Sequence, residues 1–233
     1  MDTKFWGSSG WKLLHTIAYQ YPEKPLDIEK QRYNDFFTLL KNILPCKYCR
    51  ASMLEFLNEI PIVNYLDNTL QLRHWLYKIH NKVNNKLRHQ GLLTTPNPTL
   101  KQVDAIYKEM KISPMLGWDF IFSIIYNYNP EVNNNPKHYE AFFNLLGEIT
   151  PCKLYRRVYE DYKSVKPIST ALKNTRMFHK WFYDFQKKYL EQQGIKCNTY
   201  SDICKRYNAV KVKSCSKKKL TCRRGGVLTP LGC

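Results

Sequence analysis

The sequence predicts an all-α protein: a helical bundle that is then written a second time in altered form. Three observations carry this. Apolar residues recur at three- and four-residue spacing in "WKLLHTIAYQY", "YNDFFTLLKNIL", "LRHWLYKIHNKVNNKL" and "LKQVDAIYKEM". Glycine is scarce, nine in 233 residues, and strand-like alternation is nearly absent. Finally, one order of segments occurs twice at a nearly constant offset.

The elements follow in order. Five helices are expected in the first part, at about 8–21, 27–43, 46–58, 68–90 and 99–111. Asp27, Asn68 and Thr99 stand near plausible starts, and Pro22, Pro25, Pro45, Pro61, Pro96 and Pro98 punctuate between the segments. Then the pattern begins again. "GWKLLHTIAYQY" (10–21) matches "GWDFIFSIIYNY" (117–128) at an offset of 107. "QRYNDFFTLLKNILPCKYCR" (31–50) matches "KHYEAFFNLLGEITPCKLYR" (137–156) at an offset of 106, with ten identities in twenty positions. One deleted residue accounts for the change of offset. Expected boundaries are a first domain at 1–112, a degenerate second helical bundle at 113–194 and a basic, cysteine-bearing tail at 195–233.

The differences between the copies single out candidate functional residues. Core positions persist, as in Trp11/Trp118, Phe36/Phe142, Phe37/Phe143 and Trp75/Trp181. Yet Cys49 becomes Tyr155, His15 becomes Phe122, His80 becomes Gln186, Asn81 becomes Lys187 and Asn84 becomes Leu190. The second copy keeps what packs and loses one polar set. Cys46, Cys49, His15, His80, Asn81 and Asn84 are therefore expected to form one site within 1–112.

Composition excludes several classes. Hydrophobic residues make up 43% and aromatic residues 14%, ordinary globular values. No apolar run approaches the roughly 18 residues of a spanning helix, and "MDTKFWGSSGW" lacks the basic-then-apolar order of a secretory signal. The formal charge is +18, but residues 195–233 contain ten Lys/Arg against one acid, so half the excess lies in the tail. Nucleic-acid binding is expected only as a non-specific property of that tail.

"PCKYC" at 45–49 is the sole C-x-x-C of the chain. It reads as half a zinc site, a redox pair or two buried thiols. Zinc needs two further thiolate or imidazole ligands, and His74 and His80, six apart, lie on different helix faces, so no metal is expected. A thioredoxin-type fold would need a βαβ pattern nearby. A proline before a cysteine at a helix start favours a thiolate there. Rings and amides at His15, Trp11, Tyr19, His80 and Asn84 could stack on a planar heterocycle and read its edge, and a bundle core is a usual place for a cofactor.

"GSSGWKLLHT", "PCKYC" with Cys46 31 residues after His15, and "WLYKIHNKVNNKL" together resemble the three segments of the Erv/ALR family of FAD-linked sulfhydryl oxidases. The resemblance covers about residues 4–110. It implies an Erv-like four-helix bundle with a short fifth helix, FAD as cofactor, thiol-bearing protein substrates and molecular oxygen as acceptor. Cys46 would exchange with substrate and Cys49 would face the flavin, with hydrogen peroxide as the product. By family position the cofactor set is Gly7, Ser8, Trp11, His15, Tyr19, His80, Asn81, Val83, Asn84, Lys86, Leu87 and Tyr107. The sequence departs from the family pattern in two places. Residues 85–111 lack the cysteine that ties the fifth helix to the bundle in many relatives, and Ser8 stands where an arginine is common. The family usually forms homodimers through the bundle, an interface that a fused copy could occupy.

Cys197, Cys204, Cys215, Cys222 and Cys233 are spaced 7, 11, 7 and 11 apart; shuttle, structural and other roles all remain open. The duplication and the AT-rich-type composition favour a large DNA virus, in the virion or host cytoplasm, over the mitochondrial intermembrane space. A non-catalytic interaction protein on the same scaffold is the alternative.

Overall fold

A computed structural model of the chain describes residues 3–131 and 135–211, and every regular element among them is helical. The first half comprises α1 (Thr3–Tyr19), α2 (Asp27–Ile43), α3 (Lys47–Glu59), a 3₁₀ turn (Ile62–Tyr65), α4 (Thr69–His89) and α5 (Leu100–Lys108). The second comprises α6 (Trp118–Asn127), α7 (Pro136–Ile149), α8 (Lys153–Val165), α9 (Ile168–Ala171) and α10 (Thr175–Glu191), followed by α11 (Tyr200–Ala209).

The helix starts have visible causes. Asn68 accepts from the Gln71 N–H at 2.9 Å, and Thr99 and Gln102 close a reciprocal capping box. At α2, Asp27 is the first helical residue rather than the cap, and the Leu26 N–H donates to Glu29 at 2.8 Å. Pro136 opens α7 behind Asn135, the position where a missing N–H is harmless.

The expected helix at 27–43 is found with those bounds. Two expectations differ. α1 begins five residues before 8, running through "GSSG", because Trp6 and Gly10 are buried against α6 and packing outweighs the weak helix propensity of glycine and serine. The segment read as a tail from 195 is helical over Tyr200–Ala209. It packs on α6 and α10, with Ile203 and Tyr207 buried and Tyr207 donating to Asp119 at 2.7 Å. Cys215, Cys222 and Cys233 lie outside the described residues.

The same local devices occur in both halves. Tyr21 donates to the Leu66 carbonyl at 2.7 Å and Tyr128 to the Leu172 carbonyl at 2.6 Å. The Phe36/Phe37 and Phe142/Phe143 pairs both lie edge-on at 5.2 Å. The halves meet along α2 with α7 and α1 with α6. Phe36 stacks on Phe142 at 5.0 Å, its own counterpart in the sequence repeat. A Cβ on Gly10 would meet Phe120 at 3.0 Å, and one on Gly117 would meet Leu13 at 2.7 Å. The repeat pairs Gly10 with Gly117 and Leu13 with Phe120, so the contact is reciprocal, as in a two-fold interface. No helix among the described residues is long and apolar enough to cross a membrane.

Candidate functional site

A cavity of about 200 Å³ opens between α1, the start of α3 and α4. Each helix presents one face to it: Gly7, Trp11 and Leu14 from α1, Cys49, Met53 and Phe56 from α3, and Val83, Lys86 and Leu87 from α4. These spacings of three and four are one helical stripe apiece. The lining is apolar with few polar groups, the usual character of a site for a planar organic group. Cys49 is on its wall and Cys46 is not; Cys46 stands at the cap position of α3, outside.

Beside the cavity lies a cluster of rings. Trp11 stacks on His80 at 3.8 Å, and His15 stacks on Tyr107 at 4.7 Å. His15 Nε2 and His80 Nδ1 share a hydrogen bond of 3.1 Å. Burial, with His80 as a second cause, holds His15 down at about 3, and burial holds His80 at about 4. Both imidazoles are thus neutral at ordinary pH, able to stack and to offer one donor and one acceptor each. His15 Nδ1 and, on the cavity wall, Trp6 Nε1 are buried without a hydrogen-bond partner. An unmet buried polar group costs about 1–3 kcal/mol, so both atoms favour an additional occupant.

α5 carries Tyr107 and is held without a covalent link. Asp104 accepts from the Tyr19 hydroxyl and pairs with Arg73 at 3.6 Å, while the Arg73 guanidinium lies 4.6 Å over the Tyr19 ring. Burial, and then the bond to Asp104, pushes the Tyr19 hydroxyl well above its ordinary value, so it stays a donor.

Of the residues expected from sequence, Gly7, Trp11, Cys49, Val83, Lys86 and Leu87 line the cavity, and His15, Tyr19, His80 and Tyr107 form the adjoining ring cluster. Others stand elsewhere. Ser8 is exposed and is not in the lining. Asn84 donates to Asn97 at 3.1 Å, tying α4 to the loop before α5, and half-buried Asn81 is not in the lining. Lys86 donates to Ser52 across the cavity. Sequence reasoning missed Trp6, Tyr48, Met53, Phe56 and Phe120. Trp6 lies on the row of Gly10 and Leu14, spaced by four, and could have been found by carrying that row back along the helix. Phe120 comes from α6, and no periodicity in the first half points to it.

At the corresponding place in the second half, rings occupy the space. Tyr155 lies 5.0 Å from Phe185, 5.5 Å from Tyr189 and 6.0 Å from Trp118, leaving about 20 Å³ beside Cys152. Cys152 caps α8, accepting from the Tyr155 N–H at 3.4 Å.

Residues 8–104 match the Erv1 / Alr family. The chain is 34% identical over 124 residues to a probable FAD-linked sulfhydryl oxidase of Acanthamoeba polyphaga mimivirus, covering 52% of this chain and 83% of that protein. It is 33% identical over 87 residues to the mitochondrial FAD-linked sulfhydryl oxidase ERV1 of Saccharomyces cerevisiae, 37% of this chain and 45% of that one. An African swine fever virus FAD-linked sulfhydryl oxidase matches at 30% over 82 residues, 35% of this chain and 67% of the other. The chain thus spans most of the mimiviral relative and less than half of the yeast one.

Proposed function

The chain belongs to the Erv1/Alr family, and from that premise we propose that it is an FAD-dependent sulfhydryl oxidase whose Cys46–Cys49 pair forms disulfides in protein substrates. The observation that carries this reading is the asymmetry of the pair, with Cys49 on the wall of an apolar cavity and Cys46 at the cap of α3 outside it. The residues fit a flavin dinucleotide. The slot beside Cys49 is apolar and narrow, the Trp11, His80, His15 and Tyr107 rings offer stacking faces, and Lys86 supplies positive charge at the cavity. Two buried polar atoms still lack partners.

The chain's own chemistry follows from this reading. With the pair oxidised, a substrate thiolate attacks Cys46 Sγ; the Cys46–Cys49 bond breaks and Cys49 leaves as thiolate. A second substrate thiol displaces Cys46, releasing substrate disulfide and leaving both cysteines reduced. The N–H groups at the start of α3 favour negative sulfur during this exchange. FAD, when bound, supplies a two-electron acceptor for Cys49 and a route to molecular oxygen, which leaves as hydrogen peroxide. Neutral His15 and His80 hold the ring cluster without adding charge, and Leu14, Met53 and Phe56 exclude water.

We read α6–α10 as a degenerate second bundle that has lost this chemistry. Its matching hydrogen bonds and ring pairs support that reading, as do the reciprocal contacts between the halves. By the same reading the second bundle occupies the face through which the family pairs, and the chain is a monomer or a homodimer through another face. The viral relatives support a viral setting; action in the virion or host cytoplasm on thiols of virion proteins belongs to the same proposal. Purified protein should show a flavin spectrum and consume oxygen with a dithiol, releasing peroxide. A protein that takes up no flavin and consumes no oxygen would instead be an interaction protein on this scaffold.

A further inference from the structure

We propose that the groove formed by the end of α8, α9 and the start of α10 is a docking site for a partner-protein segment that carries acidic and apolar side chains. The groove has a counterpart in the first half, between the end of α3, the 3₁₀ turn and α4, lined at positions 106 residues earlier. Each is braced by a tryptophan whose indole N–H donates to a backbone carbonyl: Trp75 to Ile60 at 2.9 Å, and Trp181 to Lys166 at 2.8 Å. The shape is shared while the side chains are exchanged.

In the first half the charges satisfy one another. Glu59 pairs with Lys82, and Lys78 donates to the Tyr65 hydroxyl at 3.0 Å. In the second half Val165 stands in place of Glu59, Met177 in place of Gln71 and Arg176 in place of Leu70. The cation that Glu59 held persists as Lys188, which has only the Tyr162 ring, 6.0 Å away. Lys180 pairs with Asp184, but Lys166, Arg176 and Lys188 have no ion pair among the described residues. Val165 is 77% exposed and Met177 52% exposed, above a floor containing buried Trp181.

Exposed apolar side chains beneath uncompensated cations match a peptide in which acids alternate with apolar residues: burial supplies affinity, and charge supplies selection and speed. The groove holds about 670 Å³, room for a short segment of chain. The chain's own residues 212–233 contain six Lys/Arg and no acid, so like charge rejects them as the occupant. The proposal does not depend on the flavin reading.

The test uses the full chain with ¹³C-labelled methionine methyl groups, in which Met177 reports on the groove and Met53 on the cavity. Titration with a short peptide of alternating Glu and Leu should move the Met177 signal saturably and leave Met53 unmoved. The same peptide with Lys for Glu should do neither. The double variant Lys166→Glu/Arg176→Glu should weaken binding at least about tenfold, His74→Glu in the first groove should not, and Cys49→Ser should bind as the parent does. An unmoved Met177, equal shifts from both peptides or an affinity unchanged by charge reversal would overturn the proposal. So would a shift given by a single-stranded oligonucleotide and not by the acidic peptide.

Discussion

The two halves of the molecule share local devices and have opposite interiors. In the first, α1, α3 and α4 stand around about 200 Å³ of open, apolar space with Cys49 on its wall. In the second, Tyr155, Tyr189 and Phe185 meet in that space and about 20 Å³ remains. The framework of tyrosine-to-carbonyl and tryptophan-to-carbonyl bonds is the same in both. What separates them is the side chains that the framework turns inward. One architecture can thus hold either an open apolar cavity or a packed cluster of rings, and packed aromatic area stabilises the closed form.

The sharpest way to break this contrast is through the sulfurs. Cys49→Ser should lower dithiol-dependent oxygen consumption by at least about a hundredfold, and Cys152→Ser should leave it within about twofold. Loss of turnover in the Cys152 variant would mean that the second half takes part in the reaction.

Next come the rings that fill the second half. Gly147 admits Tyr159 so closely that a Cβ there would lie 2.3 Å from the ring, so Gly147→Ala should destabilise by about 1–3 kcal/mol in denaturant unfolding. The Tyr155 hydroxyl is buried with no partner, so the ring fills this space by bulk and adds no hydrogen bond. Tyr155→Phe should therefore be neutral or stabilising by up to about 1 kcal/mol; a clear loss of stability would refute this account of the filling.

A smaller effect concerns α5, whose place in the second half is taken by α11, where Tyr207 lies against Phe122 and Tyr126 as Tyr107 lies against His15 and Tyr19. Asp104→Asn weakens the contacts to Tyr19 and Arg73 that hold Tyr107 on His15. Flavin retention on dilution should fall about five- to tenfold, with the helical circular dichroism unchanged. Unchanged retention would show that the loop bonds from Asn84 and Arg88 to Asn97 suffice.

The smallest effect is one of pH. His15 and His80 are held at about 3 and about 4 in the folded protein, below the unfolded value of 6.5. The unfolded chain therefore binds more protons as pH falls. Their stabilisation is complete above pH 6.5 and declines progressively as pH drops toward those folded values. Exchanging them for the second half's residues, His15→Phe and His80→Gln, should flatten the acid side of the melting-temperature profile. His179, held at about 4, would leave a residual slope.

Much of this was legible in residue order. Helical periodicity with Asn68 and Thr99 as caps located α4 and α5, and the two versions of one segment exposed Cys49, His15 and His80 as exchanged. What escaped was whatever depends on distant packing. The first helix is expected from 8, yet it begins at Thr3 because Trp6 and Gly10 lie against Phe120 of α6. Asn84 is exchanged between the halves like the site residues, but it serves a loop. Phe120 lines the first half's cavity from the second half, and no local pattern encodes that.

The reciprocal contact of Gly10 with Phe120 and Leu13 with Gly117 has a further consequence. In a homodimer every substitution at the two-fold face occurs twice, and both surfaces must tolerate it together. Here each surface is encoded separately, so Leu13 and Phe120 can differ while still facing the same small partner. The joined chain also meets its other half at constant effective concentration, however dilute the protein becomes. On the proposed reading of α6–α10 as a degenerate copy, the joined chain lets one half change its interior without changing the other.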